Sequence, residues 1–83
     1  MTLTIVTADG VAYEGKVNYV NLPTPDGSVG ILAGHAPMLC AVAEGELKYR
    51  SEEEGDKVFT ISSGIAEIMN NVITVLLVKS AET

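Results

Sequence analysis

The feature that most constrains the fold is a succession of short stretches with period-two alternation, each ended by a turn signal. Leu3 and Ile5 alternate with polar residues, and the Ala8-Asp9-Gly10 sequence that follows them is typical of a hairpin turn. Leu47 and Tyr49 alternate with charged residues in the same way. No stretch carries a sustained helical period with caps. About ten such short strands predict an all-β fold, a flattened β-sandwich or barrel.

One of these stretches changes its apolar parity midway. Val17 and Tyr19 share one parity, while Val20 and Leu22 share the other. Because side chains alternate between the two faces of a strand, this change predicts a bulge or a corner where the strand passes from one sheet to another. Residues 23–27 are predicted to form a loop, because proline cannot continue a ladder.

Two stretches, residues 38–42 and 72–78, are apolar at almost every position. The second follows Asn70-Asn71, which is predicted to be a two-residue turn because asparagine tolerates positive φ. In a two-layer sandwich one face of each sheet normally meets water. Either these strands are covered twice within the domain, or one of their faces docks on a partner.

The composition limits the classes of function. A length of 83 residues predicts one domain, residues 1–83. The net charge is −6, and the only five Lys and Arg residues are not expected to cluster, so binding to nucleic acid or anionic lipid is not expected. Cys40 is the single cysteine, which excludes an internal disulfide and a thiolate zinc site. The N-terminus does not resemble a signal peptide, and the longest apolar run, residues 75–78, is too short to cross a bilayer.

A specific motif occupies residues 22–39, which read LPTPDGSVGILAGHAPML. It resembles the epsilon subunit of F-type ATP synthase, with its acidic-glycine turn, its Gly-Ile-Leu and its Gly-His-Ala-Pro. Residues 5–15 and 63–76 resemble the first and last hairpins of that family, so the resemblance covers almost the whole chain in order. Departures are few: Ala33 stands where the family often has proline, Met38 replaces a common leucine, and Cys40 is unusual.

The resemblance implies the N-terminal β-sandwich domain of a non-catalytic subunit in the rotor, at the central stalk. Its implied partners are the gamma subunit, the ring of c subunits and the whole ATP synthase complex, on the cytoplasmic face of the bacterial cell membrane. No catalytic site, cofactor, metal ion, nucleic acid or direct membrane insertion is expected. The implied contacts with the c-ring are Asp26, Gly27 and Ser28. The implied contacts with the gamma subunit are Thr7, His35, Met38 and Cys40.

Members of that family usually continue into a C-terminal pair of helices, whereas this sequence ends at Thr83, soon after the last predicted strand. We therefore expect the helical hairpin to be lacking, and whether this short form is natural stays open. The inhibitory and nucleotide-sensing roles that the family assigns to those helices are not carried over.

Three groups of residues invite a chemical role but have simpler interpretations. His35 is the one histidine of the sequence, so a metal site is not expected there, and the residue is expected to pack at an interface or to bond a backbone carbonyl. Cys40 lies in an apolar run without a basic neighbour, which is typical of a buried, inert thiol. Residues 52–54 are three successive glutamates; adjacent strand residues point to opposite faces, so they favour a solvated turn over a carboxylate site.

Two other classes of function are the alternatives. A free-standing β-sandwich that binds a small molecule or a glycan is disfavoured, because only 5% of the residues are aromatic and sugar sites need stacking rings. A small hydrolase is disfavoured, because the one histidine and the one cysteine lack a plausible triad.

Overall fold

The computed structural model describes residues 1–78. In these residues, stretches of alternating apolar side chains form β-strands that are separated by short turns and loops. The strands in this part are β1 (Thr2–Thr7), β2 (Gly10–Thr24), β3 (Gly27–Leu32), β4 (Met38–Val42), β5 (Gly45–Ser51), β6 (Gly55–Ile61), β7 (Gly64–Met69) and β8 (Val72–Leu77). The all-β prediction is confirmed. The eight strands described are fewer than the ten expected, because β2 runs unbroken through 15 residues that the sequence pattern divides.

The strands form two layers that share β2. The front sheet has the order β4-β7-β8-β1-β2, and the back sheet has the order β3-β2-β5-β6. All neighbouring strands are antiparallel except β1 and β8, which are parallel. The sheets do not close into a barrel, so the architecture is a β-sandwich.

Strand β2 passes from one sheet to the other at a bulge, as its change of parity predicts. Val17 pairs with Ser51, and Tyr19 is the next residue to pair, with Arg50, which leaves Asn18 as the extra residue. Val17 and Val20 are both fully buried although they differ in parity. The inserted residue therefore keeps both halves of the strand facing the core.

The prediction that residues 23–27 form a loop is wrong for most of that range. Strand β2 continues through Thr24, which pairs with Gly27. Pro23 is tolerated because its carbonyl turns away from β3 and accepts a hydrogen bond from the Ala43 amide at 2.9 Å. The nitrogen of a strand residue faces the same side as its carbonyl, so the missing N–H removes nothing from the β2–β3 ladder.

The Asn70-Asn71 turn is confirmed. Both residues have positive φ, 53° and 63°, and the flanking Met69 and Val72 pair with each other. Positive φ at both central positions is the type I′ geometry that suits the twist of a two-residue hairpin.

The core lies between the two sheets and consists of 15 buried apolar side chains in the described residues. They are Leu3, Ile5, Val17, Val20, Leu22, Ile31, Val42, Leu47, Tyr49, Ile61, Ala66, Ile68, Ile73, Val75 and Leu77. At the corner where β2 changes sheet, the ring of Tyr13 packs against the ring of Tyr49 with centroids 4.9 Å apart. This core fixes the two sheets relative to each other, so the residues on their outer surfaces are held in a defined arrangement.

Candidate partner-binding surfaces

The turn between β2 and β3 forms the first candidate surface. Because Thr24 pairs with Gly27, only Pro25 and Asp26 lie outside the ladder. Gly27 has a φ of 122°, which a residue with a side chain rarely adopts, and its carbonyl accepts a hydrogen bond from the Thr24 hydroxyl. Asp26, Gly27 and Ser28 are all exposed. The structure thus brings the three expected c-ring residues together at one tip, and their contact with a c-ring stays a prediction.

The outer side of the front sheet forms the second candidate surface. One row of apolar residues crosses all of its strands, since Ala41 pairs with Ile65, Ile65 with Leu76, Leu76 with Val6, and Val6 with Val11. We name this side the front face, and its apolar members are Val6, Val11, Leu39, Ala41, Ile65, Met69, Val72 and Leu76.

The front face is open to solvent over most of its area. Leu39 is 72% exposed, Leu76 is 52% exposed and Ile65 is 50% exposed. The sequence left two alternatives for residues 38–42 and 72–78: cover on both sides within the domain, or a face that docks on a partner. Among the described residues, nothing covers the outer side of these strands. Contiguous exposed apolar surface of this kind marks an interaction site in a soluble protein.

A carboxylate interrupts the front face near its centre. Glu67 on β7 pairs with Leu39 on β4 and with Thr74 on β8. Ile65 and Met69 lie two residues away along β7 and share its side of the sheet. Glu67 is exposed.

The loop that carries His35 is fastened to the front sheet. The His35 amide donates to the Leu32 carbonyl at 3.2 Å, which closes a turn, and the Gly34 amide donates to Oδ1 of Asn71 at 2.7 Å. Gly34 has a φ of 83°, which favours glycine. His35 is half-buried, and its Nδ1 donates to the Ala36 carbonyl at 2.7 Å, so the expectation that it bonds a backbone carbonyl is confirmed.

The structure does not collect the four expected gamma-contact residues on one face. His35 lies near the start of β1, whose Thr2 amide donates to the Asn71 carbonyl at 2.9 Å. Thr7 is at the other end of β1, about 17 Å away at 3.4 Å per residue, where its hydroxyl accepts from the Asp9 amide at 3.1 Å. Thr7 is 9% exposed. Their contact with a gamma subunit stays a prediction.

Met38 and Cys40 lie on the inner side of the edge strand β4. Both are half-buried and pack against the core, and burial raises the pKa of the Cys40 thiol. The pairing of Cys40 with the buried Ala66 sets this orientation, and it turns Leu39 outward. A role for Met38 and Cys40 at the gamma subunit therefore requires contact along the edge of the sheet. Their gamma contact likewise stays a prediction.

The residues of the front face were not predicted as contact residues from the sequence. A signal was present, because the stretches at 38–42 and 72–78 are apolar at both parities. The outward parity became evident only with the pairing of Leu76 to Ile65 and to Val6.

Three basic side chains lie closer together in the structure than the sequence analysis predicts. Lys48, Arg50 and Lys57 line one hollow of about 250 Å³ on the back sheet, together with Tyr19. The expectation that the basic residues do not cluster is therefore wrong for these three, because the β5–β6 register brings distant positions together. Arg50 Nε lies 2.7 Å from an oxygen of Asp56, and Lys57 Nζ lies 3.7 Å from an oxygen of Glu54. These acidic neighbours offset the positive charge of the hollow.

Two further kinds of site were sought in the described part of the chain. Residues 1–78 contain no group of three or more His, Cys, Asp and Glu side chains arranged to hold a metal ion. No helix within the same residues has the length and hydropathy that a membrane crossing needs.

Comparison with known proteins defines the family. The family described as "ATP synthase, Delta/Epsilon chain, beta-sandwich domain" matches residues 1–83. The chain belongs to this family. The resemblance read from the motif at residues 22–39 is thereby confirmed.

Relatives of this family member agree in sequence and in fold. The ATP synthase epsilon chain of Lawsonia intracellularis (strain PHE/MN1-00) is 43% identical over 74 residues, which are 89% of this chain and 55% of the relative. A chain in the Euglena gracilis mitochondrial ATP synthase (OSCP/F1/c-ring, rotational state 1) superposes with a TM-score of 0.85 at 27% identity, covering 96% of this chain and 51% of that chain.

A chain in the central stalk and c-ring structure of Tetrahymena thermophila mitochondrial ATP synthase superposes with a TM-score of 0.75 at 19% identity, covering 95% of this chain and 63% of that chain. At that identity the likeness shows the fold alone. The chain spans about half the length of the Lawsonia intracellularis protein.

Proposed function

We propose that this member of the delta/epsilon family is a non-catalytic subunit of the rotor of an F-type ATP synthase, which joins the gamma subunit to the ring of c subunits. The observation that carries the proposal is the front face, an exposed apolar surface on a chain of this family. The relative in Euglena gracilis comes from an assembly that contains a c-ring, which supports the same placement.

The two candidate surfaces divide this role between them. The front face is broad and apolar, as a stable interface requires at its centre, so we assign it to the gamma subunit. The tip at residues 26–28 is small, polar and carries the carboxylate of Asp26, so we assign it to the polar loops of the c-ring. Such a charged contact sets register and partner choice more than affinity.

The shared core is what makes the two surfaces mechanically useful. Strand β2 contributes both to the front sheet, through its pairing with β1, and to the tip, through its pairing with β3. A load applied at the tip therefore passes along a continuous hydrogen-bonded strand into the sheet that carries the front face. In this role the subunit is held peripherally, through its partners, at the cytoplasmic face of a bacterial cell membrane.

Calorimetric titration of the chain with the gamma subunit from the same genome tests this proposal. We expect a one-to-one complex whose interface has the ordinary size of a stable contact and removes about 800 Å² from each partner. We expect no ATP hydrolysis by the chain alone. A folded chain that binds neither the gamma subunit nor a gamma–c-ring subcomplex would overturn the proposal.

The assignment of the tip has its own test. Asp26→Lys should weaken capture of the chain by a gamma–c-ring subcomplex and leave its affinity for the isolated gamma subunit unchanged, because residue 26 is exposed and lies outside the front face. Glu53→Lys is a matched control, since Glu53 is an exposed acidic residue in the β5–β6 turn and belongs to neither candidate surface. Equal capture of both variants would remove the tip from the c-ring contact.

A further inference from the structure

Glu67 is a charged group framed by apolar side chains. On the front face three of its four neighbours are apolar, namely Leu39 across the β4–β7 ladder, and Ile65 and Met69 along its own strand. The fourth is Thr74, across the β7–β8 ladder. Leu39, Ile65 and Met69 are each at least 47% exposed and flank the carboxylate on three sides; we name these three residues the apolar ring. A partner that covers this ring also covers Glu67.

The described residues provide no positive charge for Glu67. The ion pairs among them join Arg50 to Asp56 and Lys57 to Glu54, both on the back sheet. Lys16 lies on β2, three strands from β7 in the front sheet and about 14 Å away at 4.8 Å per strand. Lys48 belongs to β5 of the back sheet. In the free chain, Glu67 is exposed to solvent instead.

Covering the apolar ring removes that solvent. An ionised carboxylate without a partner is strongly disfavoured in an apolar environment, whereas one that is paired and hydrogen-bonded is accommodated. The apolar side chains around it would exclude solvent from the pair, as the surroundings of an energetically important contact do. The partner must therefore bring a cation to this position.

We propose that the front face selects a partner surface that is apolar and carries one lysine or arginine opposite Glu67. The proposal rests on the function proposed above and names the chemistry of the gamma surface that docks there. The apolar ring supplies contact area, and the carboxylate of Glu67 fixes the orientation of the partner and rejects surfaces that have no cation at that position.

Calorimetric titration of the gamma subunit with the parent chain, Glu67→Gln and Glu67→Lys tests the proposal. Glu67→Gln keeps the shape but leaves the partner's cation unpaired, so we expect affinity to fall about thirtyfold or more. Glu67→Lys should reduce it further, through repulsion. Glu46→Gln and Glu46→Lys are the matched controls, because Glu46 is an exposed strand glutamate on β5 of the back sheet, and we expect less than about a twofold change for either.

The sign of the Glu67→Gln effect decides the question. If the carboxylate faced an apolar group or solvent, Glu67→Gln would bind the gamma subunit as tightly as the parent or more tightly. That result would overturn the proposal, whereas binding of the gamma subunit by the parent chain would still support the proposed function. If the folded parent bound neither the gamma subunit nor a gamma–c-ring subcomplex, both would fail.

Discussion

Gly64 is the position where the packing of this fold allows least change. A Cβ on Gly64 would lie 1.9 Å from the carbonyl oxygen of Leu76 and 2.9 Å from its carbonyl carbon. Gly64 is also held between two ladders, since it pairs with Val42 on one side and with Leu77 on the other. The clash is with backbone, so rotation of a side chain cannot relieve it. Gly64→Ala therefore has to separate β7 from β8.

The cost follows from the size of that shift. To restore ordinary contact, the carbonyl of Leu76 would have to move by more than 1 Å, which breaks hydrogen bonds of the front sheet. Overpacking typically costs 1–3 kcal/mol, and a backbone clash belongs at the upper end, so we expect about 3 kcal/mol. A domain of this length has a total stability of about 4–12 kcal/mol. The same loss lowers Tm by about 12–24 °C.

Gly15→Ala is the matched control. A Cβ there would approach the hydroxyl of Tyr13 at 2.5 Å, but this atom is the outer end of a half-buried side chain, whose ring can tilt against Tyr49 without breaking a backbone hydrogen bond. We expect a loss of less than about 1 kcal/mol, which urea denaturation with a constant m-value resolves from the loss at Gly64. If Gly64→Ala were as stable as Gly15→Ala, the close approach of Gly64 to Leu76 would be refuted.

Three further predictions concern the surroundings of Asn71, Cys40 and Tyr49. Asn71→Gly keeps the turn but removes the hydrogen bond from the Gly34 amide, so it should cost about 1 kcal/mol in urea denaturation and speed amide exchange at Gly34. Asn71→Asp should restore most of that protection, and Asn70→Gly should leave Gly34 unchanged; equal exchange in all three variants would contradict the contact. Burial raises the pKa of the Cys40 thiol, so a thiol reagent at pH 8 should label folded protein more slowly than protein in urea, and equal rates would place the thiol in solvent. The pKa of Tyr49 is raised by burial and, to a smaller extent, by the nearby Tyr13 and Glu54. The stability that this shift contributes is present below the unfolded pKa of about 10 and is lost as the pH rises through the higher pKa of the folded chain. Tyr49→Phe should reduce this alkaline loss, and an unchanged stability–pH profile would refute the assignment.

Local chemistry was enough to predict several parts of the fold. The change of parity between Val17 and Val20 predicts the bulge at Asn18, because burial on a strand obeys a strict period of two. Asn70 and Asn71 predict their own turn, because few residues accept positive φ. Pro23 was misread for an equally local reason, since the sequence does not say which side of β2 its nitrogen faces.

The candidate site was less predictable, because it depends on pairings between distant residues. The outward side of β4 is set by the pairing of Cys40 with Ala66, and the isolation of Glu67 is set by its neighbours on β4 and β8. The cluster of Lys48 and Lys57 likewise follows from the β5–β6 register. The family was accessible from sequence through the Gly-His-Ala-Pro motif, which is a resemblance rather than a physical deduction.

The central claim is that the front face is where the gamma subunit docks, and one binding measurement tests it most directly. Leu76 on the front face and Val58 on the back sheet are almost equally exposed, at 52% and 56%, so Leu76→Asp and Val58→Asp should disturb folding alike. Titrated with the gamma subunit from the same genome, Val58→Asp should bind like the parent chain. Leu76→Asp should lose about a hundredfold or more in affinity, because it places a charge in the covered interface. Undiminished binding by a folded Leu76→Asp variant, or loss of binding by Val58→Asp alone, would contradict the account.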